Sequence, residues 1–286
     1  MSDWDAALLG VRISSNMSEN PSHNLTNCQS SGCESTPPSV VSLAIEASGR
    51  VGRIAIGRGD QILAVRDLPA SRRHNLDLMQ TVDEIFTEQG IAKSDLKEVY
   101  ISTGPGSFTG LRIAITTAKM LAMVLGCKII EVPTLQVVMN QGVSDDLSEG
   151  DCIAACLNLK RDTVYSGIWQ QNAEGEMIAV SEPKLRSSDE LRDEAGDQLR
   201  VVVGEVLPEA LKNEDSWTRK QNVKIISGPA ALADASHTWL IGRSLSKAGK
   251  YIEAKDLQAA YIREPEAVTL WNMNHPPAPG SSRTRK

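Results

Sequence analysis

The chain has 286 residues, enough to bury a good core and to hold two compact domains. An apolar share of 41% with 23% charged residues suits a globular protein, and a formal net charge of −6 excludes the overall basic footprint of an autonomous nucleic-acid binder. Five cysteines form no secretory framework, and the four histidines are scattered without His-x-x-x-His or Cys-x-x-Cys spacing, so no metal site is expected. With no apolar run fit for a signal peptide or membrane anchor, a cytoplasmic protein is predicted.

Residues 1–38 are rich in Ser, Asn and Pro and predict a disordered N-terminal extension ending at Thr36-Pro37-Pro38. Val40–Ala47, Val51–Gly57 and Gln61–Asp67 alternate or run apolar between short glycine-containing turns, which predicts an antiparallel meander. Leu76, Met79, Val82 and Phe86 recur at helical spacing, so a helix over His74–Gln89 is predicted, stopped by Gly90. A strand over Glu98–Ser102 then empties into a loop with Gly104, Pro105, Gly106 and Gly110, and from Phe108 to Leu125 the pattern is helical. A strand over Cys127–Val132 closes this half.

A similar order begins again after a polar stretch at Asn140–Gly150. Cys152–Leu157, Thr163–Trp169 and Glu176–Val180 read as strands, the last two joined through Asn172–Gly175. A short helix near Asp189–Ala195, a strand at Arg200–Val203, a helix at Leu207–Lys212, a strand at Asn222–Ser227 and a helix over Pro229–Lys247 follow. The repetition predicts a duplicated α/β unit, with lobes at residues 39–145 and 146–271 and a loose tail at 272–286. Cys152 and Cys156, four apart in a strand, are expected to be buried structural thiols.

The glycine stretch is the most chemically suggestive part. Gly104, Gly106 and Gly110 permit positive φ or close backbone approach, and Ser107 or Thr109 can cap the helix. Unpaired N–H groups at such a helix start could hold an anion, and a tightly packed turn that binds nothing explains the same residues. The stretch matches neither a Walker loop nor a dinucleotide fingerprint. At the first hairpin, Glu46 and Ser48 stand where a metal-handling carboxylate and a phosphate ligand would belong, or they form an ordinary strand end. The corresponding turn of the second half offers Asp162 without a glycine, which weakens phosphoryl transfer. His74 reads as a helix-start histidine with no orienting carboxylate beside it. In the helix, Ala114, Ala118 and Ala122 make a smooth row, fit either for the core or for close approach by a partner.

The run Gly104-Pro105-Gly106-Ser107-Phe108-Thr109-Gly110-Leu111-Arg112, its Ala/Ile-rich helix, and Glu131-Val132-Pro133-Thr134-Leu135 resemble the signature of the TsaB (YeaZ) family. The His74 helix and Tyr261-Ile262-Arg263 fit as well. The likeness is dense over residues 40–138 and sparse but collinear to about 271.

The resemblance implies a duplicated, actin-like (ASKHA, RNase H-like) two-lobed fold and a place in the bacterial machinery that makes N6-threonylcarbamoyladenosine at position 37 of tRNA. In that machinery TsaC makes the activated threonylcarbamoyl group, TsaD carries the metal and transfers it, and TsaE is an ATPase. Proteins of this family act as a non-catalytic dimerisation partner of TsaD, so the implied partners are a TsaD homologue and, in a larger complex, TsaE. Contact with tRNA is then indirect, and ATP or ADP enters only at the level of the complex. The implied interface lies on the two N-lobe helices, with His74, Met79, Arg112, Ala114, Ala118 and Ala122, and the same surface can form a homodimer in isolation. Glu46, Ser48, Gly104, Gly106 and Ser107 are the implied anion or nucleotide loop. Glu46-Ala47-Ser48 departs from the family's usual Asp-Thr-Ser/Ala, which counts against nucleotide binding here. The alternative from another class is an enzyme in its own right, a glycoprotease-type peptidase or a small ATPase.

Overall fold

The computed structural model describes residues 39–69, 74–160, 163–213 and 215–262, without the side chains of 74–77 and 159–160. The expectations for 1–38, Asp162, Arg263 and the 272–286 tail, and for the His74 side chain, therefore fall outside it.

The first half forms one five-stranded sheet from β1 (Val41–Glu46), β2 (Arg53–Arg58), β3 (Gln61–Asp67), β4 (Leu96–Ser102) and β5 (Lys128–Val132), in the order β3-β2-β1-β4-β5. β1 runs antiparallel to β2 and parallel to β4. Every residue of β1 is buried because the strand is central and covered on both faces, which is why it reads as a nearly unbroken apolar run. Leu43, Ile45, Val99 and Ile101 face the helices α1 (His74–Glu88) and α2 (Phe108–Leu125), whereas Ala44, Ala55 and Tyr100 face the opposite side. The short helix α3 (Thr134–Asn140) ends this half.

The second half repeats the plan. Strands β6 (Cys152–Lys160), β7 (Thr163–Gln171), β8 (Met177–Ser187), β9 (Leu199–Gly204) and β10 (Lys224–Ser227) are ordered β10-β9-β6-β7-β8. Helices α4 (Ser188–Ala195), α5 (Glu209–Lys212), α6 (Trp217–Lys220) and α7 (Ala235–Lys247) accompany them. The two sheets have the same strand order and sense, which is the duplicated actin-like architecture.

The halves are interlocked. α7 packs on β1, β2, β4 and β5 of the first sheet, while α3 packs on β6 of the second. Trp239 of α7 fits only because position 57 is glycine: a Cβ there would sit 2.3 Å from the indole. Gly242 likewise makes room for Tyr100, and the Trp239 indole N–H donates to the Ser42 hydroxyl at 2.9 Å. One apolar core thereby joins Ala44 and Tyr100 of the first half to Ile153, Trp169 and Val203 of the second.

Some elements differ from the sequence-based expectation. α3 was not anticipated, because all seven of its residues are buried and no polar face marks a helical period. α6 is a single turn beyond the reach of periodicity. The last helix starts at Ala235 and not at Pro229, since Asp234 caps it by accepting from the Ser236 amide at 2.8 Å; Gly228–Ala231 is a separate 3-10 turn. β8 continues past Pro183 to Ser187, which an edge strand tolerates. Cys152 and Cys156 are free and buried as expected, and burial pushes the Cys156 thiol up to about 12.

Candidate functional site

The glycine loop joins β4 to α2 and is tied on both sides. Gly104 has φ of +105°, a conformation that favours glycine, and its amide donates to the Thr134 hydroxyl at 3.0 Å while its carbonyl accepts from the Thr134 amide at 3.1 Å. Ser107 caps α2 by accepting from the Gly110 amide at 3.3 Å, and its own amide donates to the Ser48 carbonyl at 2.7 Å. Gly106 and Gly110 serve close approach. A Cβ on Gly106 would lie 2.4 Å from the Ser48 carbonyl oxygen, and one on Gly110 only 2.1 Å from that of Ala47. The loop is thus pressed against the turn that follows β1.

The five residues of the expected anion loop do come together, but they are turned toward one another. Glu46 is fully buried and accepts from the Ser48 amide at 2.8 Å, the Ser48 hydroxyl, the Ser102 hydroxyl at 2.9 Å and the Thr238 hydroxyl at 3.0 Å. Its carboxylate therefore links β1, β4 and α7. Burial raises its pKa, and the hydrogen bonds from Ser48, Ser102 and Thr238 offset only part of that rise. The amides of Gly104, Ser107 and Gly110 are all donated to protein oxygens. Beyond the turn, the Arg50 guanidinium reaches Glu205 of the second half at 3.0 Å, across the mouth between the sheets.

The expected interface residues separate. Ala114 and Ala118 lie fully buried in this chain's own core, packed with Leu43, Ile45 and Val99, so the alanine row is not a partner face as α2 stands. Small side chains there let α2 settle closely on the sheet. Ala122 is half-buried beside them. Turned outward instead are Arg112, Thr116, Met120, Met123 and Val124, the last two 78% and 71% exposed, and Met79 of the neighbouring helix α1 is exposed as well. By length and composition α2 could cross a membrane, yet a third of it is buried in the protein and its outer side carries Arg112.

After α7 the chain returns as a strap along α2. Ile252 forms an antiparallel bridge with Ile129, Leu257 is buried under the helix, and the Ala260 amide donates to the Thr103 carbonyl at 2.8 Å. The strap delivers Tyr261 to the start of α2. There the Arg112 Nε donates to the Tyr261 hydroxyl at 3.2 Å, the guanidinium lies 3.8 Å from the Phe108 ring centroid, and the two rings are 5.3 Å apart. Spacing in the sequence could not bring residues 112 and 261 together. Among the described residues no group of three His, Cys, Asp or Glu side chains is placed to hold a metal ion.

A family profile described as "TsaD: tRNA N6-adenosine threonylcarbamoyltransferase" matches residues 68–182. The tRNA threonylcarbamoyladenosine biosynthesis protein TsaB of Bacillus subtilis (strain 168) is 26% identical over 80% of this chain and 96% of its own length. The protein of the same name from Escherichia coli (strain K12) is 25% identical over 77% of this chain and 94% of its length. The chain is similar to TsaB (YeaZ) proteins over most of its own length and nearly all of theirs. A solved structure of YeaZ from Pseudomonas aeruginosa superposes with a TM-score of 0.59 at 22% identity, over 78% of this chain and 99% of that one, and has the same fold. Within this chain, the profile's span begins just before α1, includes the glycine loop and α2, and ends in β8.

Proposed function

We propose that this protein takes part in forming threonylcarbamoyladenosine in tRNA as a non-catalytic subunit that docks a TsaD homologue. The names of its full-length relatives support the pathway. The observation that carries the docking role is the outer side of α2, where Met120, Met123 and Val124 are exposed, as is Met79 of the neighbouring helix α1. A helix that buries its alanines inward and presents methionines outward has more apolar surface than a free monomer requires, and such patches mark association sites. The enclosed Glu46 and the packed glycine loop support a supporting subunit over a nucleotide-processing one, with any ATP or ADP bound by the assembled complex. TsaE and tRNA would join through that complex, in the cytoplasm where tRNA is modified.

Co-expression with the TsaD homologue of the same organism, followed by light scattering, tests the reading. A stable heteromer whose formation is needed for modification of tRNA is the expected result. Two separate species that never associate, or threonylcarbamoyl transfer by this chain alone, would refute it.

A further inference from the structure

The docking face has one polar feature that its apolar residues do not explain. Arg112 lies on the same outward arc of α2 as Thr116 and Met123, one and three turns along the helix. It is held along one edge and on one face: Nε donates to the Tyr261 hydroxyl, and the plane lies over the Phe108 ring. Among the described residues it has no carboxylate partner, and neither of its terminal nitrogens has a protein acceptor. Phe108 and Tyr261 are themselves exposed, at 42% and 45%. A guanidinium fixed in this way loses little further freedom on binding and offers its remaining N–H pair as a fork.

Resting on the docking role proposed above, we propose that Arg112, oriented by Tyr261, is the polar anchor of that interface and receives a carboxylate side chain of the TsaD-type partner in a bidentate pair. The surroundings favour a protein carboxylate over a nucleic-acid phosphate. Farther along the helix Met120, Met123 and Val124 are exposed, an apolar surface that a protein partner would cover and a nucleic-acid backbone would not. Tyr261 is a positioning residue. It brings the strap into the interface without itself having to touch the partner.

The test is calorimetric titration of the full chain and its variants into the TsaD homologue at low and high salt, with a thermal melt of each variant. Arg112→Met is expected to weaken binding by about 10- to 100-fold and to flatten the salt dependence, at an unchanged melting temperature. Arg112→Lys should recover little, because an ammonium cannot make the fork. Tyr261→Phe should weaken binding by roughly threefold while leaving the salt dependence in place, and a partner Asp or Glu changed to Lys should restore binding to Arg112→Glu. Wild-type affinity and salt dependence in Arg112→Met would overturn the anchor alone, as would full rescue by Arg112→Lys. Loss of tRNA binding by the isolated chain in Arg112→Met, with partner binding intact, would overturn it in favour of a phosphate. Failure of the wild-type chain to bind would instead refute the docking role on which the anchor rests.

Discussion

The amide of Ser107 donates to the carbonyl of Ser48 at 2.7 Å, so the first residue before α2 is bonded to the turn after β1. Through this bond the glycine loop becomes a structural joint. Its glycines fit under the hairpin, Glu46 is enclosed behind it, and the start of α2 is held in place on the sheet.

Gly106→Val tests the joint. The backbone of Gly106 is not in the left-handed region, so the cost arises from contact: the new Cβ would meet the Ser48 carbonyl at 2.4 Å and the Ser48 Cβ at 2.7 Å. Both are too close, and one is backbone. A loss of about 2–3 kcal/mol is expected in urea unfolding, as for other overpacked sites. A variant as stable as wild type would mean that the hairpin can move away freely.

Ala118→Arg and Met123→Arg should behave oppositely. Ala118 has no exposed surface, so an arginine there leaves a charge in the core and should cost about 4 kcal/mol or more. Met123 is 78% exposed, and its substitution should change stability by no more than about 0.5 kcal/mol while weakening partner binding at least about tenfold. Thermal melts and pull-down with the TsaD homologue distinguish the two. A folded Ala118→Arg monomer that merely fails to bind would return the alanine row to the interface.

Glu46 gives a pH dependence of definite sign. Its folded pKa is raised above 4.5 by burial, so the native state holds a proton that the unfolded state has released. Stability should therefore fall as pH rises from about 4.5 toward the folded pKa, and remain lower above it. Glu46→Gln keeps the shape and the hydrogen-bonding oxygen but cannot ionise, so this fall should be absent from urea titrations of the variant across the same range. Parallel pH profiles for the two proteins would show that Glu46 titrates alike in both states.

The opposite dependence is expected at Glu194. Arg186, 1% exposed, is bonded by Glu194 at 2.8 and 2.9 Å and by Ser181 at 2.9 Å, and it also donates to Ser166. Hydrogen bonding to Arg186 holds the Glu194 carboxyl down at about 2, so its contribution is complete above about 4.5 and is lost as pH falls toward 2. Glu194→Gln should cost about 2–3 kcal/mol near neutral pH, less than for a wholly buried pair because Glu194 keeps 31% of its side chain exposed. Denaturant midpoints of the variant and wild type should converge in acid. Equal midpoints at neutral pH would show that Ser166 and Ser181 suffice for Arg186.

Local patterning determined much of the molecule. The apolar run of β1, the Ser107 cap and the repeated three-strand opening of each half are all statements about neighbouring residues, and each is met in the fold. Of the helical spacing of Leu76, Met79, Val82 and Phe86, Val82 and Phe86 are buried while Met79 turns outward and Leu78 takes its place in the core. The nonapeptide from Gly104 to Arg112 was specific enough to carry the resemblance to TsaB (YeaZ) proteins, to which the chain is similar over most of its length. Only the tertiary structure decided which side of α2 faces inward, because a helix apolar nearly all round has no polar stripe to orient it. The same holds for α7, whose Trp239 needs Gly57 on a strand 182 positions earlier in the chain, and for Tyr261, which reaches Arg112 only when the strap has crossed under α2. Glu46 is the sharpest instance: a carboxylate at a strand end suits a ligand site or a buried bond equally well in sequence. Its role depends on whether distant hydroxyls, here Ser102 and Thr238, close over it.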